Sequence, residues 1–176
     1  MARVFHFELH NAPPEVCEVF ETTLRGKPGS FHKLLTHRPE VLKTMLPFYG
    51  SIGKALGRRL YELVYIRVSL MNGCRYCMEH HFAASRRVGV TPEEWQSLNA
   101  SSYDNFTPKE RAALSFAEKL TRDPHAISDE DINTLKQQFS EAEIVDLDLL
   151  IGLANLTNCF TESRGAELES AEEKIL

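Results

Sequence analysis

Cys74 and Cys77 stand three residues apart, and His81 follows four residues later, within the stretch Asn72-Gly73-Cys74-Arg75-Tyr76-Cys77-Met78-Glu79-His80-His81. On a helix, offsets of three, four and seven fall on one face, so the two thiols and the His81 imidazole share a side while His80 points elsewhere. Redox chemistry by such a pair needs a thiolate. A free thiol, with a pKa of about 8.5, is only a few per cent ionised at pH 7. Helix N-terminal amides would favour ionisation of Cys74, whereas His81 would serve Cys77 as proton acceptor, so the residues by themselves leave the attacking thiol open. Peroxide would oxidise one cysteine to a sulfenic acid, and condensation with the other would give a disulfide before irreversible over-oxidation. An external dithiol must then reset the pair.

Other chemistries fit less well. A structural zinc site wants four closed ligands, and no second Cys-x-x-Cys or His pair is present, so no metal is expected. Haem attachment needs His directly after the second cysteine, where Met78 stands, and a thioredoxin motif belongs in a βαβ setting that this chain does not offer. No cofactor is expected. Cys17 and Cys159 are isolated and read as buried, inert thiols.

A helix over about Gly57 to Asn72 leads into the motif. Leu56, Leu60, Leu63, Val64, Leu70 and Met71 form its apolar stripe, while Glu62 and Ser69 lie together on another side. Arg67 falls inside the stripe and is expected to pair with Asp146 or Asp148. Asn72-Gly73 stops the helix, and the next begins at or just before Cys74. Folded as a hairpin, Glu62 would lie about 16 Å from the turn along one helix and His81 about 10 Å along the other, close enough for tilt to bring them level. A carboxylate, an imidazole and two thiols then converge on one helix pair.

The rest of the chain reads as helices. Thr91 to Glu94, Thr107 to Glu110 and Ser140 to Glu143 are capping boxes, with Ser128 to Asp131 a close relative. Apolar residues at helical spacing follow Pro13-Pro14 and Pro39, with Gly26 and Gly50 as the expected stops. From Ile144 to Leu156 the chain is apolar on most sides, which suits a helix buried between a core and a neighbouring subunit. No segment alternates like a strand, and there is no internal repeat or long linker. The 176 residues, 43% hydrophobic and 26% charged, are expected to form one domain over 1–176 with its redox core at about 56–94. A net charge of -5 without a basic run argues against nucleic acid as a partner. The N-terminus lacks a secretory apolar core and no run approaches the ~20 residues of a membrane span, so no membrane partner and a cytoplasmic location are expected.

Glu62, Cys74-Arg75-Tyr76-Cys77 and His81, with Asn72-Gly73 and Gly89-Val90-Thr91-Pro92-Glu93-Glu94, together resemble the signature of the alkylhydroperoxidase D-like (AhpD-like) branch of the carboxymuconolactone decarboxylase family. The segment from Asn155 to Phe160 is similar to that family's last core helix. The resemblance implies an all-α, AhpD-like helical bundle that assembles into homo-oligomers, trimers or hexamers. It implies a peroxidase with peroxiredoxin-like activity in which Cys77 attacks an alkyl hydroperoxide or hydrogen peroxide, Cys74 resolves, and Glu62 with His81 relays protons. Its reductant would be a lipoyl-bearing or thioredoxin-like protein. Tyr76 occupies a position where the family has Tyr or His; as a phenol it is a poor base and would orient a water or pack. The decarboxylase that names the family works without a thiol pair. Two other readings of this chain are a disulfide carrier or redox sensor, and a non-catalytic oligomeric scaffold.

Overall fold

A computed structural model describes residues 3–8, 10–22, 24 and 28–169, and among these every regular element is helical. In chain order they are α1 (Pro14–Thr22), α2 (Ser30–Leu35), α3 (Pro39–Leu56), α4 (Arg58–Asn72), α5 (Arg75–Arg87), α6 (Pro92–Asn99), α7 (Pro108–Arg122), a single 3-10 turn (Pro124–Ala126), α8 (Asp129–Lys136) and α9 (Glu141–Arg164). The described fold is all-α, as the sequence predicts.

Local chemistry sets most boundaries. Thr91 accepts from the Glu94 amide and Thr107 from the Glu110 amide, with proline at the first helical position of α6 and α7, where a missing N–H costs nothing. Ser128 caps α8 with Asp131, and Ser140 opens α9 through reciprocal bonds with Glu143. The stop expected at Gly50 is not there. Gly50 lies inside α3, which runs on to Leu56, and the break falls at Gly57, whose φ of 80° is one that side chains disfavour. A lone glycine costs an exposed helix only about 1 kcal/mol, too little to end one whose flanking residues continue the pattern. Gly26 lies outside the described residues.

The chain divides into two compact units, Met1–Gly50 with Phe160–Leu176, and Ser51–Cys159. In the first, Val19, Leu35 and Leu42 form a core with Phe31, Val41, Met45, Leu46 and Phe160 packed on it. In the second, α4 packs against α5, α6 and α7. Its core joins Leu63 and Ile66 to Val90, Leu98, Phe106 and Leu114, with Trp95 and Tyr103 alongside. Every residue of α4 from Leu60 to Ser69 is buried, because neighbours cover it on several sides.

Arg67 does not meet Asp146 or Asp148. Its Nε donates to Glu118 Oε1 at 2.7 Å, and its Nη atoms reach the Leu98 carbonyl at 3.1 Å and Ser101 Oγ at 2.6 Å. The face carrying Arg67 packs on α7, so the nearest carboxylate comes from there, and Tyr103 donates to the same oxygen. α9 has the length and apolarity to cross a membrane, but half of its most apolar stretch is buried within the chain. Its outward side leaves Val145, Leu149 and Leu156 exposed, together with Cys159, which is therefore not the buried thiol expected. Cys17 is half-buried, its thiol directed at the Ala12 carbonyl 3.4 Å away.

Candidate functional site

The turn between α4 and α5 is two residues long. Gly73, with φ 66°, takes the left-handed conformation at the end of α4; its amide donates to Leu70 O and the Cys74 amide to Ser69 O. This six-to-one pairing closes the last turn and needs a residue tolerant of positive φ. Cys74 follows at once as the N-cap of α5, its sulfur accepting from the Cys77 amide at 3.2 Å. The first thiol thus takes the place a serine or aspartate would fill at an ordinary helix start. Cys74 and Cys77 are joined as a disulfide with Cα atoms 5.4 Å apart, and they are 0% and 4% exposed.

The hairpin brings Glu62 and His81 together. Glu62 does leave the apolar stripe, yet it is completely buried, because α5 folds back over that side of α4. Its Oε2 lies 2.7 Å from His81 Nδ1. Its Oε1 lies 2.7 Å from Arg58 Nη2, close enough for an ion pair but off the line of a hydrogen bond, so this oxygen takes no directed hydrogen bond from the described residues. A fully buried carboxylate is tolerable only with such charge partners. The Arg58 side chain is 59% exposed and lies over the Tyr61 ring, so it links the buried acid to solvent.

His81 is held on its flat side too. The Tyr65 ring stacks on the imidazole with centroids 3.7 Å apart and planes 18° from parallel. Tyr61 lies 6.2 Å away and tilted, and burial raises its phenol well above the ordinary range, which keeps it neutral. The imidazole Nε2 hydrogen-bonds no described residue, leaving that nitrogen to exchange a proton. Tyr76 is buried with its ring against His80, 4.4 Å away and tilted.

α9 backs the hairpin with polar groups. Tyr65 hydrogen-bonds Thr157, Asn158 donates to Ser69 Oγ at 3.1 Å, and Asn72 donates to Asn155 and Asn158 at 2.8 and 3.0 Å. These tie α4 at positions 65, 69 and 72, along the face that leads to the Gly73 turn. The structure therefore brings Glu62, Cys74, Cys77 and His81 onto one hairpin as the sequence predicts. Sequence reasoning missed Arg58, Tyr65 and Thr157. The four-residue offset from Arg58 to Glu62 was a signal for the first; nothing local marks the pair 92 residues apart. Among the described residues no cluster of His, Cys, Asp and Glu is arranged to hold a metal ion. The arrangement sets an imidazole bonded to a buried carboxylate on the same hairpin as a disulfide that can accept two electrons.

The profile of the carboxymuconolactone decarboxylase family matches residues 39–119. The uncharacterized protein YdfG of Bacillus subtilis is 32% identical over 130 residues, spanning 72% of this chain and 88% of YdfG. An alkylhydroperoxidase AhpD core, an uncharacterized peroxidase-related protein from Ralstonia eutropha, superposes with a TM-score of 0.79 at 21% identity, covering 98% of this chain and 94% of that one. The debrominase Bmp8 superposes with a TM-score of 0.71 at 18% identity, over 97% and 95% of the two chains. At these identities the two structures are alike in fold.

Proposed function

Because this chain belongs to the carboxymuconolactone decarboxylase family, with an AhpD-like fold, we propose that it is a thiol peroxidase that reduces hydrogen peroxide or an alkyl hydroperoxide. The observation that carries this reading is the Cys74–Cys77 disulfide on the same short hairpin as a buried carboxylate bonded to an imidazole. In the reduced enzyme His81 Nε2 takes the Cys77 proton, and the thiolate attacks the distal peroxide oxygen. The O–O bond breaks, Cys77 becomes a sulfenic acid, and the proton returned through His81 leaves with the water or alcohol formed from the other oxygen. Cys74 then attacks the sulfenic sulfur; the S–S bond forms and water departs. An external dithiol reduces the disulfide by two electrons and becomes a disulfide itself.

The assignment of Cys77 as attacking thiol rests on its place one turn before His81 and on the family's pattern, and outweighs the hydrogen bond at the helix start that favours ionisation of Cys74; Cys74 then resolves. Tyr76 packs beside the pair as a supporting residue. The near-complete burial of both sulfurs favours a small oxidant over a folded disulfide substrate, and a slender lipoyl dithiol over a thioredoxin-like surface as reductant. The exposed apolar residues of α9 support a homo-oligomer.

Stopped-flow peroxide consumption with a lipoyl or thioredoxin-type reductant tests the reading. Cys77→Ser and Cys74→Ser are expected to reduce turnover to background; if neither does, the peroxidase reading is wrong. Thiols that cycle with the reductant while peroxide stays unconsumed would make the protein a disulfide carrier. Turnover of 2,3,4-tribromopyrrole in place of peroxide would move it toward the chemistry of Bmp8.

A further inference from the structure

We infer that Tyr65 is a positioning residue for His81, a clamp anchored on α9 that holds the imidazole in the orientation from which it draws the Cys77 proton. The inference rests on the proposed proton transfer from Cys77 to His81, but not on peroxide being the oxidant.

One hydrogen bond does not fix a ring. The contact between Glu62 Oε2 and His81 Nδ1 pins one point on the edge of the imidazole and leaves it free to swing about that bond. A parallel surface against the ring face removes that freedom, and Tyr65 supplies one at 3.7 Å and 18°. Tyr61, at 6.2 Å and 43°, does not.

The clamp is itself fixed. Thr157 Oγ1 lies 3.0 Å from both the Leu153 and the Ala154 carbonyls, which only accept, so the threonine hydrogen is spent on its own helix. Its oxygen is left to accept, and the Tyr65 hydroxyl donates to it. A residue needed only to fill this site would not require a hydroxyl, since Tyr65 is 2% exposed and a buried phenol without a partner is costly. The chain of contacts runs from the α9 backbone through Thr157 and Tyr65 to the face of His81.

Among the described contacts of His81, the polar and charged groups come from α4 and its own helix. From α4 come the Glu62 carboxylate with Arg58 behind it and the phenols of Tyr61 and Tyr65, of which Tyr61 is held neutral by burial. On its own helix Cys77 lies one turn earlier. α9 connects to it through Thr157 and Tyr65.

Alkylation of Cys77 by iodoacetamide in the reduced full-length protein, followed by peptide mass spectrometry from pH 6 to 9.5, tests the clamp without using peroxide. His81→Gln should slow alkylation at pH 7 and converge with wild type above pH 9, where the thiol ionises unaided. Tyr65→Leu should do the same, by about tenfold at pH 7, the order expected when a catalytic group loses its alignment. Tyr65→Phe and Thr157→Val, which keep the stacked ring and lose its anchor, should fall between, about two- to threefold. Slowing by Tyr65→Leu that is equal at every pH would mean general loosening and would overturn the inference. So would an unchanged rate at pH 7 while His81→Gln remains slow. If His81→Gln itself has no effect, the proton transfer is wrong and the clamp falls with it, whatever peroxide does. Should Tyr65→Leu fail to fold, judged by circular dichroism and Tm, Tyr65→Phe and Thr157→Val decide: slowing confined to low pH supports the clamp, and wild-type rates refute it.

Discussion

Arg58 and Arg59 are adjacent on α4, and each meets a glutamate, yet the two ion sites differ in kind. Arg59 reaches Glu110 at 2.7 Å, Glu94, and the Gly89 carbonyl at 3.1 Å; both carboxylates also accept from the capped threonine amides at their own helix starts. Three helices are joined there with their hydrogen bonds met. Arg58 meets the one carboxylate Glu62, whose second oxygen holds an imidazole and whose first takes no directed hydrogen bond from the described residues. A satisfied cluster stabilises; a buried acid bonded to an imidazole, with one oxygen lacking a directed hydrogen bond, is a site arranged for chemistry. The same residue types one position apart are turned to opposite uses by what packs over them.

If that contrast is right, substitutions at the two sites should fail in different measurements. Glu62→Gln should lower peroxide turnover by about a hundredfold, the scale of a lost acid–base contribution, and flatten its pH profile. Comparable turnover with Gln would dissolve the distinction. Glu110→Gln should spare turnover but lower the unfolding free energy by about 2 kcal/mol, as expected for losing a charged hydrogen-bond partner; urea titration measures it.

The pH dependence of stability sharpens the point. Burial pushes the Glu110 carboxyl up, but the Thr107 amide and the Arg59 guanidinium outweigh it and hold the group below its usual range. A lowered folded-state pKa means that this stabilisation is complete above the unfolded value and is lost as pH falls through the folded one. Wild type should therefore lose stability in acid faster than Glu110→Gln; parallel curves would count against the pairing. Glu143, brought to about 2 from the ordinary 4.5 by the Lys109 hydrogen bond and the Ser140 cap, should act likewise between those two pH values. The smallest effect is expected at that cap: Ser140→Ala should cost about 1 kcal/mol in thermal unfolding and leave turnover unchanged.

Much of this was legible in the chain because it is local. The capping boxes at Thr91, Thr107, Ser128 and Ser140 each pair two residues three apart, and all four open helices. The alignment of Cys74, Cys77 and His81 follows from helical periodicity, and Asn72-Gly73 supplies a turn tight enough to fold Glu62 onto His81. Illegible features depend on partners far away in sequence. Arg67 was expected to meet an aspartate of α9, but α7 packs on that face and presents Glu118. Gly50 reads as a stop until its helix is seen to run on, and Cys159 reads as buried until α9 is seen to turn that side outward.

By itself the sequence determined the helical elements, the tight turn and the membership of the thiol pair, carboxylate and imidazole in one hairpin, since each depends on side chains within a few turns of one another. Tertiary packing decided how those groups are conditioned: that Glu62 is wholly buried, that Arg58 reaches it from solvent, and that Tyr65 stacks on His81 while bonded to Thr157. Burial and orientation are properties of whatever lies opposite, and for this hairpin what lies opposite comes from helices placed only when the chain has folded.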